Sequence, residues 1–158
     1  MSSITIGSAA AYFFLSYVPV AFKAPLVFQA AKASGRTELE VVMAPRAAFA
    51  EAAAGNKDNN EVSSFLHRAQ ACHDNLLEGM AWFYGALLFG ILSGGVPQKN
   101  IDAVALVNIS ARALYVWLYL TGNVQWKGAA RSACFFCCVI SCGYLLVHAA
   151  VAAPARIW

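Results

Sequence analysis

Four apolar stretches constrain this chain most, because each is about as long as a helix that crosses a bilayer. They occupy residues 6–31, 65–92, 101–120 and 130–150. The hydrocarbon core of a bilayer takes roughly 20 mostly apolar residues of helix, and backbone polar groups inside it must pair within the segment. Hydrophobic residues make up 60% of the chain and charged residues 12%, whereas soluble domains carry about 25% charged residues. We therefore predict a single domain over residues 1–158, an all-α integral membrane protein built as a four-transmembrane-helix bundle.

The one long polar connection, residues 32–64, separates the first two stretches. It contains APRAAFAEAAAG at 44–55, whose alanine and glutamate content favours a short helix that ends at Gly55. The other connections are short, so neighbouring spans should be antiparallel. The N-terminal stretch lacks the positive region of a cleaved signal peptide, and we expect it to be a retained span.

The distribution of basic residues predicts the orientation of the spans. One side, formed by the first and third connections, holds Lys32, Arg36, Arg46, Lys57, Lys127 and Arg131. The other side holds only Lys99 and Arg156. Because cytoplasmic connections carry the excess of lysine and arginine, we expect the 32–64 segment to be cytoplasmic and both termini to be non-cytoplasmic.

The five cysteines do not follow the pattern of a disulfide framework. Cys72 lies in the second stretch, and the fourth stretch holds Cys134, Cys137, Cys138 and Cys142. Cysteine behaves as a small buried hydrophobe, and one helix cannot wrap four thiolates around a single ion, so we predict no metal site. No basic run is present to follow phosphates, so we expect no nucleic-acid partner.

The second stretch begins with polar residues at a depth where lipid is expected. Since a helix turns about 100° per residue, Arg68, Asn75 and Glu78 fall within an arc of roughly 80°. Gln70 and His73 project from a different side of the same helix. A charge at this depth costs roughly 2.5–3.5 kcal/mol on insertion scales, so these side chains must face protein or a wet cavity.

A second polar stripe runs along the third stretch, where Asn108, Arg112, Tyr115 and Tyr119 fall within roughly 60° of one another. Two interpretations stay open. Arg112 could pair with Glu78 and hold two helices together, although polar contacts in bundles contribute only modestly to stability. Alternatively, the two stripes bind a polar ligand, because a forked guanidinium suits a carboxylate.

Four short segments, in this order and spacing, resemble the MAPEG family, the membrane-associated proteins in eicosanoid and glutathione metabolism. The first is APRA at Ala44–Ala47, similar to the family's Asn-Pro-Arg loop. RAQACHDNLLE at Arg68–Glu78 resembles the second-helix signature in its histidine, asparagine and glutamate. SARALYVWLYL at Ser110–Leu120 matches the arginine and two tyrosines of the third helix, and ARS at Ala130–Ser132 resembles the start of the fourth.

The resemblance implies a homotrimer of four-helix protomers with glutathione as co-substrate, bound between protomers and open to the cytoplasmic side. By residue match, the positions that contact glutathione would be Asn75, Glu78, Arg112, Tyr115 and Tyr119, with Arg68 and His73 as further candidates. Arg131 would be the catalytic cation that stabilises the glutathione thiolate, because a fixed cation lowers the pKa of a thiol. Lys127 competes with Arg131 for that role.

The sequence departs from glutathione-using members at Ala71, where those members carry an arginine. Arg68 lies about one turn earlier. This difference is more typical of the less characterised bacterial, fungal and algal branch of the family.

Two functions therefore remain to be distinguished. The first is a glutathione transferase or peroxidase that acts on lipophilic electrophiles or lipid hydroperoxides, which reach it from the bilayer. The second is a non-catalytic member, either a lipid-binding scaffold or an accessory subunit of a larger membrane complex. In both cases we expect membrane lipids as partners and a multi-pass location in the endoplasmic reticulum or mitochondrial membrane.

Overall fold

The computed structural model of the protein describes residues 1–55, 60–121 and 125–152. Its helices, in chain order, are α1 (Ser3–Ala33), α2 (Glu38–Met43), α3 (Pro45–Gly55), α4 (Asn60–Leu92), α5 (Gln98–Leu120) and α6 (Gln125–Ala152). Four of them, α1, α4, α5 and α6, are long and apolar enough to cross a membrane. The predicted all-α, four-span architecture is thereby confirmed. Lys57 and Arg156, which contributed to the predicted orientation, lie outside the described residues.

The four long helices pack as a bundle in which α5 contacts α1, α4 and α6. Its interior holds fully buried side chains such as Tyr12, Phe83 and Leu145, and the Tyr12 and Phe83 rings stack with centroids 5.1 Å apart. The outer surface is also apolar: Phe14 is 71% exposed and Ile140 is 69% exposed. Large exposed apolar surfaces of this kind mark contact with a membrane or a partner.

Helix α1 continues without a break through Pro19 and Pro25. It packs along α4 and α5, and its last turns also contact α2 and α3. Neighbouring helices can satisfy the backbone groups that a proline frees inside a membrane helix. The first stretch therefore forms one element of the bundle despite its prolines.

The polar connection between α1 and α4 is folded. Gly35, with φ of 80°, turns the chain after α1, and Thr37 and Glu40 form a reciprocal capping box at the start of α2. Helix α3 ends at Gly55, as its composition predicted, and buries Ala48 and Ala52 against the end of α1 and the start of α4. This small cluster covers one end of the bundle.

Helices α5 and α6 run antiparallel. Near one end of the pair Asn100 donates a hydrogen bond to the Tyr144 hydroxyl at 3.3 Å, and further along α5 Asn108 donates to the Ser141 hydroxyl at 3.0 Å. A tight turn that includes Gly94, with φ of 61°, reverses the chain between α4 and α5. As a result the first half of α4, the second half of α5 and the first half of α6 lie at the end of the bundle that α2 and α3 cover.

Candidate functional site

A groove between α4, α5 and α6 contains two adjoining cavities. The outer cavity, about 620 Å³, is lined by polar residues from all three helices, and the inner cavity, about 410 Å³, is lined more by apolar residues. Asn75 of α4 and Phe135 of α6 line both of them. The two cavities therefore adjoin each other along the helices, on either side of Asn75 and Phe135.

Arg112 lies on the floor of the inner cavity. Its side chain is 3% exposed, and its Nε and Nη1 atoms have no hydrogen-bond partner. The rings of Tyr12, Tyr115 and Phe135 surround the guanidinium at 5.7, 5.5 and 5.7 Å from ring centroid to Cζ. Aromatic faces stabilise a cation, but a buried donor without an acceptor still costs about 1–3 kcal/mol. A ligand that offers an anionic oxygen would remove that cost.

Gly79 makes this position of Arg112 possible. A Cβ atom at Gly79 would lie 2.3 Å from Nη2 of Arg112 and 2.7 Å from the Tyr12 hydroxyl oxygen. That hydroxyl donates to the Leu76 carbonyl at 3.3 Å, which holds the Tyr12 ring in place. Sequence reasoning missed Gly79 and Tyr12, although a glycine directly after the signature glutamate was a usable signal of close approach.

Glu78 lines the inner cavity and is exposed. In the described part of the chain the one ion pair joins Arg36 to Glu51. Glu78 and Arg112 therefore do not form an ion pair in the described part of the chain, and the interpretation that they neutralise each other does not hold there. Both charged groups face the groove separately.

The outer cavity contains the remaining polar residues of the two stripes. The Asn75 amide donates to the Tyr119 hydroxyl at 3.3 Å, and the Tyr115 and Tyr119 rings lie 4.8 Å apart. The Arg131 guanidinium stacks over the Tyr119 ring with Cζ 4.4 Å from its centroid. Arg131 thus lies at the N-terminal part of α6, across the cavity from Asn75.

Lys127, the alternative cation, has different neighbours. Its Nζ donates to the Thr121 carbonyl at 3.0 Å and to the Thr121 hydroxyl at 3.2 Å, at the C-terminal end of α5. It also lies 5.7 Å from the Trp117 ring centroid. Of the two basic residues, Arg131 is the one that lines the outer cavity.

Two further candidates, Arg68 and His73, do not line either cavity. Arg68 donates to the Ser64 hydroxyl one turn away at 2.5 Å, and its Nε is buried without a partner. His73 forms a 2.7 Å hydrogen bond with the Ser16 carbonyl, and its ring lies beside Tyr17, so it belongs to the contact between α1 and α4. The structure brings together the other six candidates: Asn75, Glu78, Arg112, Tyr115, Tyr119 and Arg131.

Comparison with known proteins assigns the chain to a family. The family model of the MAPEG family matches residues 1–151, which include all four long helices up to the last turn of α6. Neither a curated protein nor a solved structure matches the chain. Because the family match covers nearly the whole sequence, the chain belongs to the MAPEG family, whose members are membrane proteins of glutathione and eicosanoid metabolism.

Proposed function

We propose that the protein is a membrane-embedded glutathione transferase or peroxidase that acts on lipophilic electrophiles or lipid hydroperoxides. The observation that carries this proposal is the buried Arg112, whose Nε and Nη1 lack partners beside the inner cavity, next to the outer cavity that Arg131 lines. Burial of an unpaired cation is costly, and an anionic ligand that docks beside the cation would offset that cost.

Glutathione fits the charges of the groove. It carries two carboxylates, one ammonium and a thiol, and the groove offers two guanidiniums, from Arg112 and Arg131, and one carboxylate, from Glu78. The Asn75 amide and Tyr119 hydroxyl supply further hydrogen-bonding groups between them. The inner cavity, at about 410 Å³, is within the roughly 300–1,000 Å³ typical of small-molecule sites.

Arg131 is the residue that we assign to thiol activation. A fixed positive charge favours a thiolate over a thiol, and the thiolate is the nucleophile. Its stacking on Tyr119 orients the guanidinium toward the outer cavity. When bound, glutathione would supply the sulfur that forms a bond to an electrophilic carbon and displaces its leaving group. With a hydroperoxide, two glutathione molecules would be oxidised to their disulfide while the hydroperoxide is reduced to an alcohol and water.

The second substrate would reach the groove from the bilayer. The inner cavity has an apolar mouth, where Trp82 is 70% exposed and Val139 is 48% exposed. These side chains belong to α4 and α6, on the outer surface of the bundle. A lipophilic molecule dissolved in the hydrocarbon core could pass between them without crossing water.

The test uses purified protein, calorimetric titration with glutathione, and conjugation of glutathione to a chlorodinitrobenzene-type electrophile. We expect Arg131→Ala to lower conjugation at neutral pH by about 10- to 100-fold, since each unit of thiol pKa corresponds to a tenfold change in thiolate. Lys127→Ala is the matched control and should keep conjugation close to that of the wild type. Absence of glutathione binding to the wild-type protein would refute the proposal.

A non-catalytic role is the second candidate, and Ala71 is the observation that favours it. At this position glutathione-using members carry an arginine, and Arg68 bonds to Ser64 instead of lining the groove. A lipid-binding scaffold or an accessory subunit would then use the apolar groove without thiol chemistry. Copurification with an unrelated membrane complex at fixed stoichiometry, without glutathione binding, would support it.

The homotrimer, the endoplasmic reticulum or mitochondrial location, and the non-cytoplasmic termini stay predictions. The exposure of the charged Glu78 side chain on the outside of a single protomer is consistent with a neighbouring protomer that completes the groove.

A further inference from the structure

Two thiols of α6 lie in the same cavity as Arg112, and glutathione binding as proposed above does not use them. Cys138 and Cys142 are one helical turn apart, are 2% and 5% exposed, and both line the inner cavity. Both are free thiols. The inner cavity is therefore bordered by two thiols of the protein itself that could act as nucleophiles.

Hydrogen bonds distinguish the two thiols. The Asn108 side-chain amide donates to the Cys142 sulfur at 3.2 Å, whereas the Cys138 thiol donates to the Asn108 carbonyl at 3.8 Å. A donor directed at sulfur stabilises negative charge there. A thiol bonded to a carbonyl must break that bond before it loses its proton. Cys142 is therefore the better placed nucleophile of the pair.

The unpartnered Nε and Nη1 of Arg112 supply the second requirement of a reactive site. Donors that are already fixed in a low-dielectric cavity stabilise an oxyanion strongly as it forms. Arg112 lines the cavity together with Cys142 and is 97% buried, since its exposed fraction is 3%. A nucleophilic sulfur and an oxyanion donor thus border the same cavity.

We propose that Cys142 is a covalent modification site for lipophilic α,β-unsaturated carbonyl compounds. The sulfur of Cys142 forms a bond to the β-carbon, and the π electrons of the carbon–carbon double bond move onto the carbonyl oxygen, where Arg112 stabilises the enolate. The thiol proton ends on the α-carbon, so the reaction is an addition with no leaving group. The adduct carries the whole mass of the electrophile and forms without glutathione.

Cys137 provides a built-in comparison on the same helix. It is exposed and lines a different, apolar groove, which Val107 and Ile140 also border. If exposure alone governed reactivity, Cys137 would react before the nearly buried Cys142. The arrangement of the inner cavity predicts the opposite order.

The experiment treats the full-length protein in lipid nanodiscs with trans-2-nonenal, without glutathione, then reduces the adducts with borohydride and maps them by mass spectrometry. We expect the first adduct on Cys142. Cys142→Ser should abolish this first phase, and Cys137→Ser should leave it unchanged. The absence of glutathione makes this result independent of the proposed transferase function.

The role of Arg112 is tested by the rate of adduct formation at Cys142. Arg112→Gln should slow it by about 100-fold, the lower end of the cost of losing an oxyanion donor. Arg112→Lys, which retains a cation, should restore part of the rate, and circular dichroism establishes that each variant is folded. Modification of Cys137 as early as Cys142, or an unchanged Cys142 rate in folded Arg112→Gln, would overturn the proposal.

Discussion

Replacement of Gly79 by alanine tests directly whether Arg112 is held where the structure has it. The added Cβ would lie 2.3 Å from Nη2 and 2.9 Å from Cζ of Arg112, and 2.7 Å from the Tyr12 hydroxyl oxygen. No real Cβ tolerates such distances, so one of these side chains must move. Arg112 is enclosed by three aromatic rings, and its movement would disturb the floor of the inner cavity.

The size of the effect follows from two opposing terms. Alanine is favoured over glycine inside a helix by about 0.8–1.0 kcal/mol, and overpacking a filled interior costs typically about 1–3 kcal/mol. Gly79→Ala should therefore destabilise the bundle by about 0–2 kcal/mol. Gly85, in the same helix, has no atom within 4 Å of an ideal Cβ, so Gly85→Ala should stabilise it by up to about 1 kcal/mol. The expected difference between the two variants is about 1–3 kcal/mol.

Both variants are compared with the wild type by reversible unfolding in mixed micelles, followed by circular dichroism, and by calorimetric titration with glutathione. We expect Gly79→Ala to unfold at a lower denaturant fraction than Gly85→Ala and to bind glutathione about tenfold more weakly, equivalent to about 1.4 kcal/mol. Equal stability and equal affinity of the two variants would refute the position that we assign to Arg112.

Two further predictions concern the ends of the bundle. Asp102 accepts a 2.6 Å hydrogen bond from the buried Thr5 hydroxyl, so Asp102→Ala should lower the unfolding midpoint in the same assay. Asp102→Asn, which keeps an acceptor, should recover part of the loss, and an unchanged midpoint for Asp102→Ala would contradict this role. The Thr37 backbone N–H, and after it the Thr37 hydroxyl, hold the pKa of Glu40 below its usual value. The α2 capping box should therefore be fully stabilising above the usual carboxyl pKa, and its stabilisation should be lost as the pH falls through the lowered pKa of Glu40. The measurement is amide hydrogen exchange in α2 as a function of pH. Protection that stays constant across this range would show that the capping box is not coupled to the ionisation of Glu40.

The elements of the fold were predictable because they depend on local properties of the chain. Long apolar stretches must be helical inside a bilayer, whatever their neighbours are, and four such helices are present. The helix that ends at Gly55 was equally predictable from its composition. Helical periodicity also placed Arg112, Tyr115 and Tyr119 on one face of α5, and these residues do border the groove.

Tertiary structure decided which polar residues meet. His73 precedes Asn75 by two residues, yet it turns toward the Ser16 carbonyl of α1, while Asn75 bonds to Tyr119 of α5. Helical periodicity assigns residues to the faces of a helix, but it does not show which neighbouring helix packs against each face. That choice depends on the packing of four helices at once.

The sequence by itself thus determined that the chain forms membrane helices and that charged residues, among them Glu78 and Arg112, lie within them. Only the packing of the bundle decided that Arg112 lies among aromatic rings and is not paired with Glu78, and that Gly79 leaves room for the guanidinium. The physical reason is range: helix formation and hydrophobicity act over neighbouring residues, whereas the environment of a buried charge is set by side chains far apart in the chain.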